Sequence, residues 1–312
     1  MLCDIHHRLV DTVAKLDYPA HKLREIRRKF CEDSTAVLNT LAKAPMPAIV
    51  VCWPVGEEHF SVPDAKQIND SFSPMSARWS GDWLAVVEKD ETLRTVDEQV
   101  KWDIYPEAIS KASDRILMQS SADNFRAGLF ATGPMPALIA LGSKIGNKTE
   151  ITPMLKHRDT GKWNWPSPTP TNNVILIDGL DELGSDESDI TILLALTANP
   201  PAMHSAAEIL GYKRLVITSS QGMGNGAIAH PKDGLHFRQQ MQELLHKLQD
   251  RNNVKNIHLL PCASNAACVF LGQSIDNYHP LVTLYDFSES SMVKRLTVRH
   301  EDNKYVVETA AN

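Results

Sequence analysis

Two segments of this chain, 130 residues apart, carry the same pattern of residues. The first is LFATGPMPALIALGSKIGN at 129–147, and the second is LLPCASNAACVFLGQSIDN at 259–277. The coinciding positions are Leu129 with Leu259, Ala137 with Ala267, Leu141–Gly142 with Leu271–Gly272, Ile145 with Ile275 and Asn147 with Asn277. This internal repeat predicts two similar halves, each built around one copy.

Each copy predicts a strand, a helix and a second strand. The apolar runs AGLFATG and IHLLPCA suit buried parallel strands, and PALIALG and AACVFLG are rich in helix-forming Ala and Leu. We expect Gly142 and Gly272 to end these helices as C-caps. The runs EITPML at 150–155 and PLVTLY at 280–285 then supply the second strands. A strand, helix and strand in this order form a right-handed parallel crossover.

The surrounding sequence extends both halves in the same way. Long helical stretches, PEAISKASDRILM and HFRQQMQELLHKLQD, precede the two copies, and further strands are predicted at PAIVVCW, WLAVVE, ITILLALT and RLVITSS. The predicted fold class is therefore α/β, with two tandem Rossmann-like subdomains. The Pro-rich and Asn-rich stretch at 161–173 separates them, which gives halves at 46–170 and 171–312, preceded by a segment at 1–45.

Composition is that of a globular protein, with 43% hydrophobic and 22% charged residues among 312. The longest apolar stretches are far shorter than the roughly 18–20 residues needed to cross a bilayer. We therefore expect a cytoplasmic protein with no membrane partner. Five scattered cysteines predict reduced thiols rather than a disulfide framework.

The net charge of −6 is unevenly distributed. Residues 1–45 hold 8 Lys or Arg against 6 Asp or Glu, and the excess lies in HKLREIRRKF at 21–30. Such a cluster can contact phosphates. The alternative is the solvated face of a helix, which charge alone favours.

Ligands of open α/β sheets bind beyond the carboxyl ends of the strands, where helix N-termini attract phosphates. The turns ATGPMP at 131–136 and PCASNA at 261–266 occupy that place in the two halves. They make Thr132, Gly133, Ser264 and Asn265 candidate ligand-binding residues. Two similar halves create a pseudo-two-fold interface, which suits a ligand that is itself a ring of repeated units.

Two further stretches are candidates for the same ligand. SSQGMGNGAIA at 219–229 follows a predicted strand, and its glycines allow backbone amides to approach a phosphate. The alternative is a structural loop. KHRDTGKWNW at 156–165 offers cations for phosphates and indoles on which bases stack, or a tryptophan pair that covers a core edge. The candidate residues are Ser220, Gly222, Gly224, Asn225, Lys156, Arg158, Lys162, Trp163 and Trp165.

The string NIHLLPCASNAACVFLGQSIDNYHPLVTLYDF resembles the SAVED domain. The resemblance covers roughly 46–312 and implies two fused CARF-like subdomains that receive cyclic oligonucleotide second messengers in bacterial anti-phage signalling. It implies a cyclic di- or trinucleotide as ligand and a homo-oligomer formed on binding, with no cofactor for this domain.

The N-terminal MLCDIHHRLVD and YPAHKLREIRRKFCED are similar to the end of an HNH nuclease domain with its ββα-metal fold. On that resemblance, His7 ligates a catalytic divalent metal ion, Mg²⁺ or similar, and double-stranded DNA is the substrate. The general base and its orienting Asn lie upstream in that fold, so the catalytic residues are unknown here. We expect these residues to form only part of a nuclease domain, which would be inactive. We also expect Met1 to be an internal position of a longer natural chain. A polar helix start without metal is the alternative.

Together these features predict a sensor of cyclic oligonucleotides that oligomerises on ligand binding and activates an attached HNH-type DNA endonuclease. The alternative is a non-catalytic binding module whose N-terminal segment docks a partner. Metal-dependent cleavage of duplex DNA after ligand addition distinguishes the two.

Overall fold

The computed structural model describes residues 16–55, 62–81, 85–89, 98–157, 159–301 and 304–310, with the single positions 8 and 12. The chain divides into two compact units, Met1–Ala44 and Pro45–Asn312. The smaller unit contributes one long described helix, and the larger unit holds the four-stranded and seven-stranded sheets and the remaining α-helices of the described residues.

The α-helices of the described residues are α1 (Ala20–Leu41), α2 (Ala65–Phe72), α3 (Glu98–Ser120), α4 (Met135–Ile145), α5 (Pro201–Leu210), α6 (Pro231–Asn252) and α7 (Asn265–Ser274). The strands are β1 (Ala44–Met46), β2 (Ala48–Cys52), β3 (Ala77–Trp79), β4 (Ala85–Lys89), β5 (Arg126–Thr132), β6 (Glu150–Pro153), β7 (Ile175–Asp178), β8 (Asp189–Ala195), β9 (Lys213–Ser219), β10 (Asn256–Cys262), β11 (Leu281–Ser288), β12 (Ser291–Glu301) and β13 (Lys304–Thr309).

The first half is built on a four-stranded parallel sheet with the order β4-β2-β5-β6. Its central strands are apolar throughout, since β2 reads AIVVC and is buried at all five positions. Strands buried on both faces read as continuous apolar runs, because helices cover both sides of a parallel sheet. The sequence prediction of these four strands is confirmed.

The second half is built on a seven-stranded mixed sheet with the order β13-β12-β11-β10-β8-β9-β7. The four strands predicted from the sequence, β8 to β11, form its parallel centre. Strand β7 pairs antiparallel with β9 at one edge, and β12 and β13 continue antiparallel from β11 at the other. These three outer strands have no counterpart in the first sheet.

The duplication extends to topology. In chain order the first half runs β2, β4, β5, β6, and the second runs β8, β9, β10, β11. Numbered from one to four within each half, both parallel cores have the spatial order 2-1-3-4. A doubly wound sheet of this kind changes its winding direction between the first and third strands, and that is where such sheets bind ligands.

The two repeated helices, α4 and α7, pack directly against each other and join the halves. A Cβ added at Gly142 would lie 2.2 Å from the Val269 carbonyl oxygen, and one added at Gly272 would lie 2.0 Å from the Ile139 carbonyl oxygen. Only glycine permits such a close approach of two backbones. The repeated Leu-Gly pair is therefore a helix-crossing point.

The prediction that Gly142 and Gly272 are C-caps is wrong. Helix α4 continues to Ile145 and is capped by Gly146, and α7 continues to Ser274. The Gly after Ala-rich and Leu-rich residues resembled a helix stop, but contact with the other half explains it. Tertiary packing has overridden the local signal.

A single hydrophobic core runs through both halves. It includes Ile49 and Phe130 of the first half, Phe237 and Leu284 of the second, and the buried faces of α4 and α7. One face of α6 is apolar and buried, comprising Phe237, Met241, Leu244, Leu245 and Leu248. A smaller cluster lies between α5 and the opposite face of the second sheet.

The smaller unit presents an exposed helix. In α1 the side chains of Phe30 and Leu38 are 69% and 66% exposed, and Arg28 pairs with Glu32 at 2.8 Å. Lys22 lies over the ring of Tyr18, with its Nζ 5.2 Å from the ring centroid. No helix in the described parts of the chain is long and apolar enough to cross a membrane.

Candidate functional site

The carboxyl ends of the parallel strands of both halves lie along one edge of the larger unit, here called the shared edge. It is formed by the residues that follow β2, β5 and β6 in the first half and β8, β9 and β10 in the second. Helices α4 and α7 both begin there. The copies match in exposure, since 132–135 and 262–265 are half-buried and 136–140 and 266–270 are buried.

Asn265, at the start of α7, joins the two halves at the shared edge. Its Nδ2 donates to the carbonyl oxygens of Ala131 at 2.8 Å and Met154 at 2.9 Å, and its Oδ1 accepts from the Lys156 amide at 3.0 Å. These backbone groups belong to the ends of β5 and β6. The side chain was predicted to bind ligand, and in the structure it is hydrogen-bonded to these three backbone groups of the first half. Its neighbour Ser264 caps α7 by accepting from the Ala267 amide.

Thr132 and Gly133 follow β5 beside these contacts. The Thr132 carbonyl accepts from the Trp53 amide at 2.9 Å, so the ends of β2 and β5 are held together. The Thr132 hydroxyl is buried and has no hydrogen-bond partner among the described residues. A Cβ at Gly133 would lie 3.0 Å from the Trp53 ring, so the small residue lets the turn pass over the indole. Trp53 is buried in the core.

The glycine loop, residues 219–229, follows β9 and lies at the second half's part of the shared edge. Gly222 and Gly224 have φ values of 83° and 113°, in the range that favours glycine. The space beside Gly222, Gly224 and Gly226 is open, because an added Cβ at each would meet no atom within 4 Å. The Gly224 amide donates to the Leu196 carbonyl at the end of β8, which fixes the loop to the neighbouring strand.

Asn173, which the sequence analysis did not single out, anchors this loop at both ends. Its Oδ1 accepts from the hydroxyls of Ser219 at 2.9 Å and Ser220 at 3.2 Å, and its Nδ2 donates to the Ala227 carbonyl. Asn173 is buried and ends the stretch that separates the halves. An Asn directly before a strand was the available signal. The sequence analysis also did not single out Thr197, which follows β8 and whose Oγ1 lies 3.4 Å from Cys262 Sγ.

The 156–165 stretch forms a tight turn. Lys156 and Trp163 form an isolated antiparallel bridge, and the Gly161 amide donates to the His157 carbonyl. Trp163 and Trp165 are buried, with 1% and 6% of their surface exposed, and Trp163 packs edge-on against Phe130. Base stacking needs an open ring face, so their burial favours the alternative that they cover the core.

The remaining candidates differ in accessibility. Lys162 is exposed and Lys156 is half-buried, both near the end of β6. Asn225 is half-buried and Ser220 is exposed within the glycine loop. Arg158 and His7 lie outside the described residues. The structure therefore groups Thr132, Gly133, Lys156, Ser264 and Asn265 around one junction, and links the glycine loop to it through the end of β8.

A buried histidine lies where the glycine loop meets α6. His230 caps that helix, its Nδ1 accepting from the Lys232 amide at 3.0 Å. Burial lowers the pKa of His230, opposed by the nearby carboxylate of Asp233 and by a hydrogen bond to the Pro74 backbone. Asp233 in turn accepts from the Thr171 amide and hydroxyl at 3.0 and 2.8 Å. The glycine loop, the stretch at 161–173 between the halves and α6 therefore form one connected polar network.

The fold and the shared edge define a class of protein: an α/β domain of two Rossmann-like halves whose strand ends meet at one edge. The SAVED family model, described as the SMODS-associated and fused to various effectors sensor domain, matches residues 109–298, well over half of the chain. The chain belongs to the SAVED family. A comparison with curated proteins finds no match.

A solved structure shares this fold at low sequence identity. The Cap4 SAVED/CARF-domain containing receptor of Acinetobacter baumannii, solved with the cyclic trinucleotide 3'3'3'-cAAA, matches with a TM-score of 0.50 and 12% identity. The match covers 81% of this chain and 52% of that one. The Cap4 receptor of Moraxella osloensis matches with a TM-score of 0.42 and 13% identity, over 80% and 49% of the two chains. The chain thus spans about half the length of these receptors.

Proposed function

We propose that this protein is a sensor that binds a cyclic di- or trinucleotide at the shared edge. One observation carries the proposal. Asn265 ties the start of α7 to the ends of β5 and β6, which brings the carboxyl ends of two similarly wound sheets to one edge. A cyclic oligonucleotide repeats its nucleotide and phosphate, and two similar edges offer repeated contacts to it.

Membership of the SAVED family supports the proposal, as does the fold likeness to a receptor solved with a cyclic trinucleotide. The glycine loop adds a physical reason, because amides in a loop with open space beside them suit a phosphate. Lys162 adds an exposed cation after β6. Thr132, Gly133 and Ser264 would contact the ligand between these two regions.

The test is a thermal-shift titration of the protein against cyclic di-, tri- and tetranucleotides. A ligand that binds only the native state raises the unfolding temperature by mass action. We expect one di- or trinucleotide to raise it selectively and saturably. A folded protein whose unfolding temperature no member of the panel changes would contradict the proposal.

A matched pair of variants places the ligand. Gly226 has open space beside it and a backbone that other residues adopt, so Gly226→Val should fold normally while its side chain occupies the space in front of the loop. Gly184, in the loop between β7 and β8, is the control, because a Cβ added there would make only ordinary contacts at 3.7–4.0 Å. We expect Gly226→Val to weaken binding at least about tenfold, or ~1.4 kcal/mol, and Gly184→Val to leave it unchanged. Equal affinities would place the ligand elsewhere.

The finer part of the proposal is that binding drives self-association and activates an HNH-type endonuclease at the N-terminus. The support is the N-terminal resemblance and the basic cluster on exposed helix α1. The divalent metal ion that the resemblance implies would be held through His7, which lies outside the described residues, so no catalytic step is assigned to it.

Sedimentation with and without the identified ligand tests assembly, and incubation with duplex DNA and Mg²⁺ tests cleavage. We expect ligand to increase the sedimentation coefficient, and cleavage to require both ligand and metal. A protein that self-associates without cutting would support the alternative of a non-catalytic binding module. One that remains monomeric when saturated with ligand would contradict the assembly proposal.

A further inference from the structure

A second cluster of side chains lies at the opposite edge of the second half. His246 lies near the C-terminus of α6, and Asp276 and His279 lie in the turn between α7 and β11. This turn is at the amino ends of the parallel strands, whereas the shared edge is at their carboxyl ends. The cluster is therefore separate from the proposed nucleotide site, and its role is independent of that proposal.

The three side chains converge on one point. His246 Nε2 lies 3.3 Å from Asp276 Oδ2, and His279 Nε2 lies 3.5 Å from Asp276 Oδ1. One ligand atom from each residue lies within 4.8 Å of the other two. Metal bonds of 2.0–2.1 Å in a tetrahedral site imply ligand-to-ligand separations of about 3.3–3.4 Å. The spacing is that of ligands around a small cation.

His279 supplies an independent reason to expect a partner. Its side chain is fully buried, and its Nε2 makes no hydrogen bond within the described structure, since the nearby Asp276 Oδ1 lies at 3.5 Å. The imidazole lies against that of His246, with ring centroids 4.5 Å apart. A buried polar atom without a hydrogen bond is costly, and a cation bound to the deprotonated Nε2 would satisfy this nitrogen.

We propose that His246, Asp276 and His279 bind a divalent transition metal ion, with Zn²⁺ the best match. Two imidazoles and a carboxylate are the ligands of zinc and its neighbours rather than of Mg²⁺ or Ca²⁺, which take oxygen ligands. His246 is 43% exposed at its side chain, so water can complete the coordination. The ion would tie α6 to the end of α7, the helix that crosses into the first half.

Neighbouring contacts orient the ligands and define what must change on binding. Gln242 Nε2 donates to Asp276 Oδ2 at 3.1 Å, which steers the carboxylate toward the histidines. The Asp276 amide donates to His279 Nδ1 at 2.9 Å, so a neutral His279 carries its proton on Nε2. Ligation at Nε2 moves this proton to Nδ1, and the Asp276 amide then loses its acceptor. The site therefore requires a small adjustment of the 275–279 turn.

The test uses the full chain, stripped of metal by a chelator and titrated with Co²⁺ and Zn²⁺. Tetrahedral Co²⁺ has intense visible absorption bands, and Zn²⁺ should displace it. We expect one Co²⁺ per chain with these bands, and His246→Gln should weaken Zn²⁺ binding at least about tenfold. His236→Gln, an exposed histidine on the same helix, is the matched control and should bind normally.

Two further readouts keep the test decisive. His246 is partly exposed, so circular dichroism should show that His246→Gln folds normally. His7→Gln, assayed in parallel, separates metal bound near the N-terminus from metal bound here. Absence of tetrahedral Co²⁺ bands in the unmodified protein would overturn the proposal. Bands that persist unchanged in His246→Gln would also overturn it.

Discussion

At the scale of single residues, Asn265 has a structural role that the sequence did not predict. Asn265 was chosen because it follows a strand at the expected ligand edge, and it does lie there. Its amide, however, is already bonded to the Ala131 and Met154 carbonyls and the Lys156 amide. In the first copy the equivalent position is Met135, whose side chain has no amide group. The repeat is thus asymmetric at the position that joins the halves.

Replacing Asn265 with Met, the residue at the equivalent position of the first copy, isolates this contribution. The change keeps a side chain of comparable size but leaves two carbonyls and one amide without partners. Each buried polar group left unsatisfied costs about 1–3 kcal/mol. We expect Asn265→Met to lower the free energy of unfolding by about 2–4 kcal/mol, measured by urea denaturation. Met135→Leu, a volume-conserving control, should change it by less than about 1.5 kcal/mol. Equal losses of unfolding free energy in the two variants would argue against stabilisation by the Asn265 hydrogen bonds.

At the scale of elements, the crossing of α4 and α7 explains why the sequence is repeated at Leu-Gly. The crossing needs a glycine from each helix, since an added Cβ at either position would lie 2.0–2.2 Å from a backbone carbonyl oxygen of the other. The same two helices begin at the shared edge. Their spacing therefore determines how far apart the two halves of the proposed nucleotide site lie.

Gly272→Ala tests the crossing. Its Cβ would collide with the Ile139 carbonyl, a backbone atom that cannot rotate away, so the helices must separate. Overpacking of this kind typically costs about 1–3 kcal/mol. We expect a loss of that size in urea denaturation, together with weaker binding of the cyclic nucleotide. At Gly184 an added Cβ would make only ordinary contacts, at 3.7–4.0 Å, so Gly184→Ala should change neither quantity. A Gly272→Ala protein as stable as the unmodified one would exclude the close packing.

Most strands of the two parallel sheet cores were predictable from the sequence, because they are encoded by local sequence patterns. Strands such as β2 and β8 are continuous apolar runs between turn residues, and the apolar face of α6 has a clear helical period. Strands β7, β12 and β13 were not predicted, because half-exposed edge strands carry mixed polar residues. The burial of Trp163 and the bridging by Asn265 depend on partners about 30 to 130 residues away, which no local pattern encodes.

At the scale of the whole molecule, the halves share one interior. The core includes Phe130 and Trp163 of the first half and Phe270 and Leu284 of the second, and residues of α4 and α7 connect them. Asn265 adds polar bonds across the same boundary, and Gln273 adds another by donating to the Ile151 carbonyl at 2.9 Å. Neither half can separate without exposing the apolar faces of both repeated helices.

This shared interior predicts that the unit Pro45–Asn312 unfolds in a single cooperative step. In scanning calorimetry we expect one transition for it, with the calorimetric enthalpy equal to the van't Hoff enthalpy, because two-state unfolding requires that equality. Asn265→Met weakens the junction rather than either half. The single transition should therefore move down by about 2–4 °C for each kcal/mol lost, without splitting. Met135→Leu should leave it in place. Two separated transitions in the unmodified protein would instead mean that the halves fold independently, and a ligand bound across the shared edge would then have to merge them.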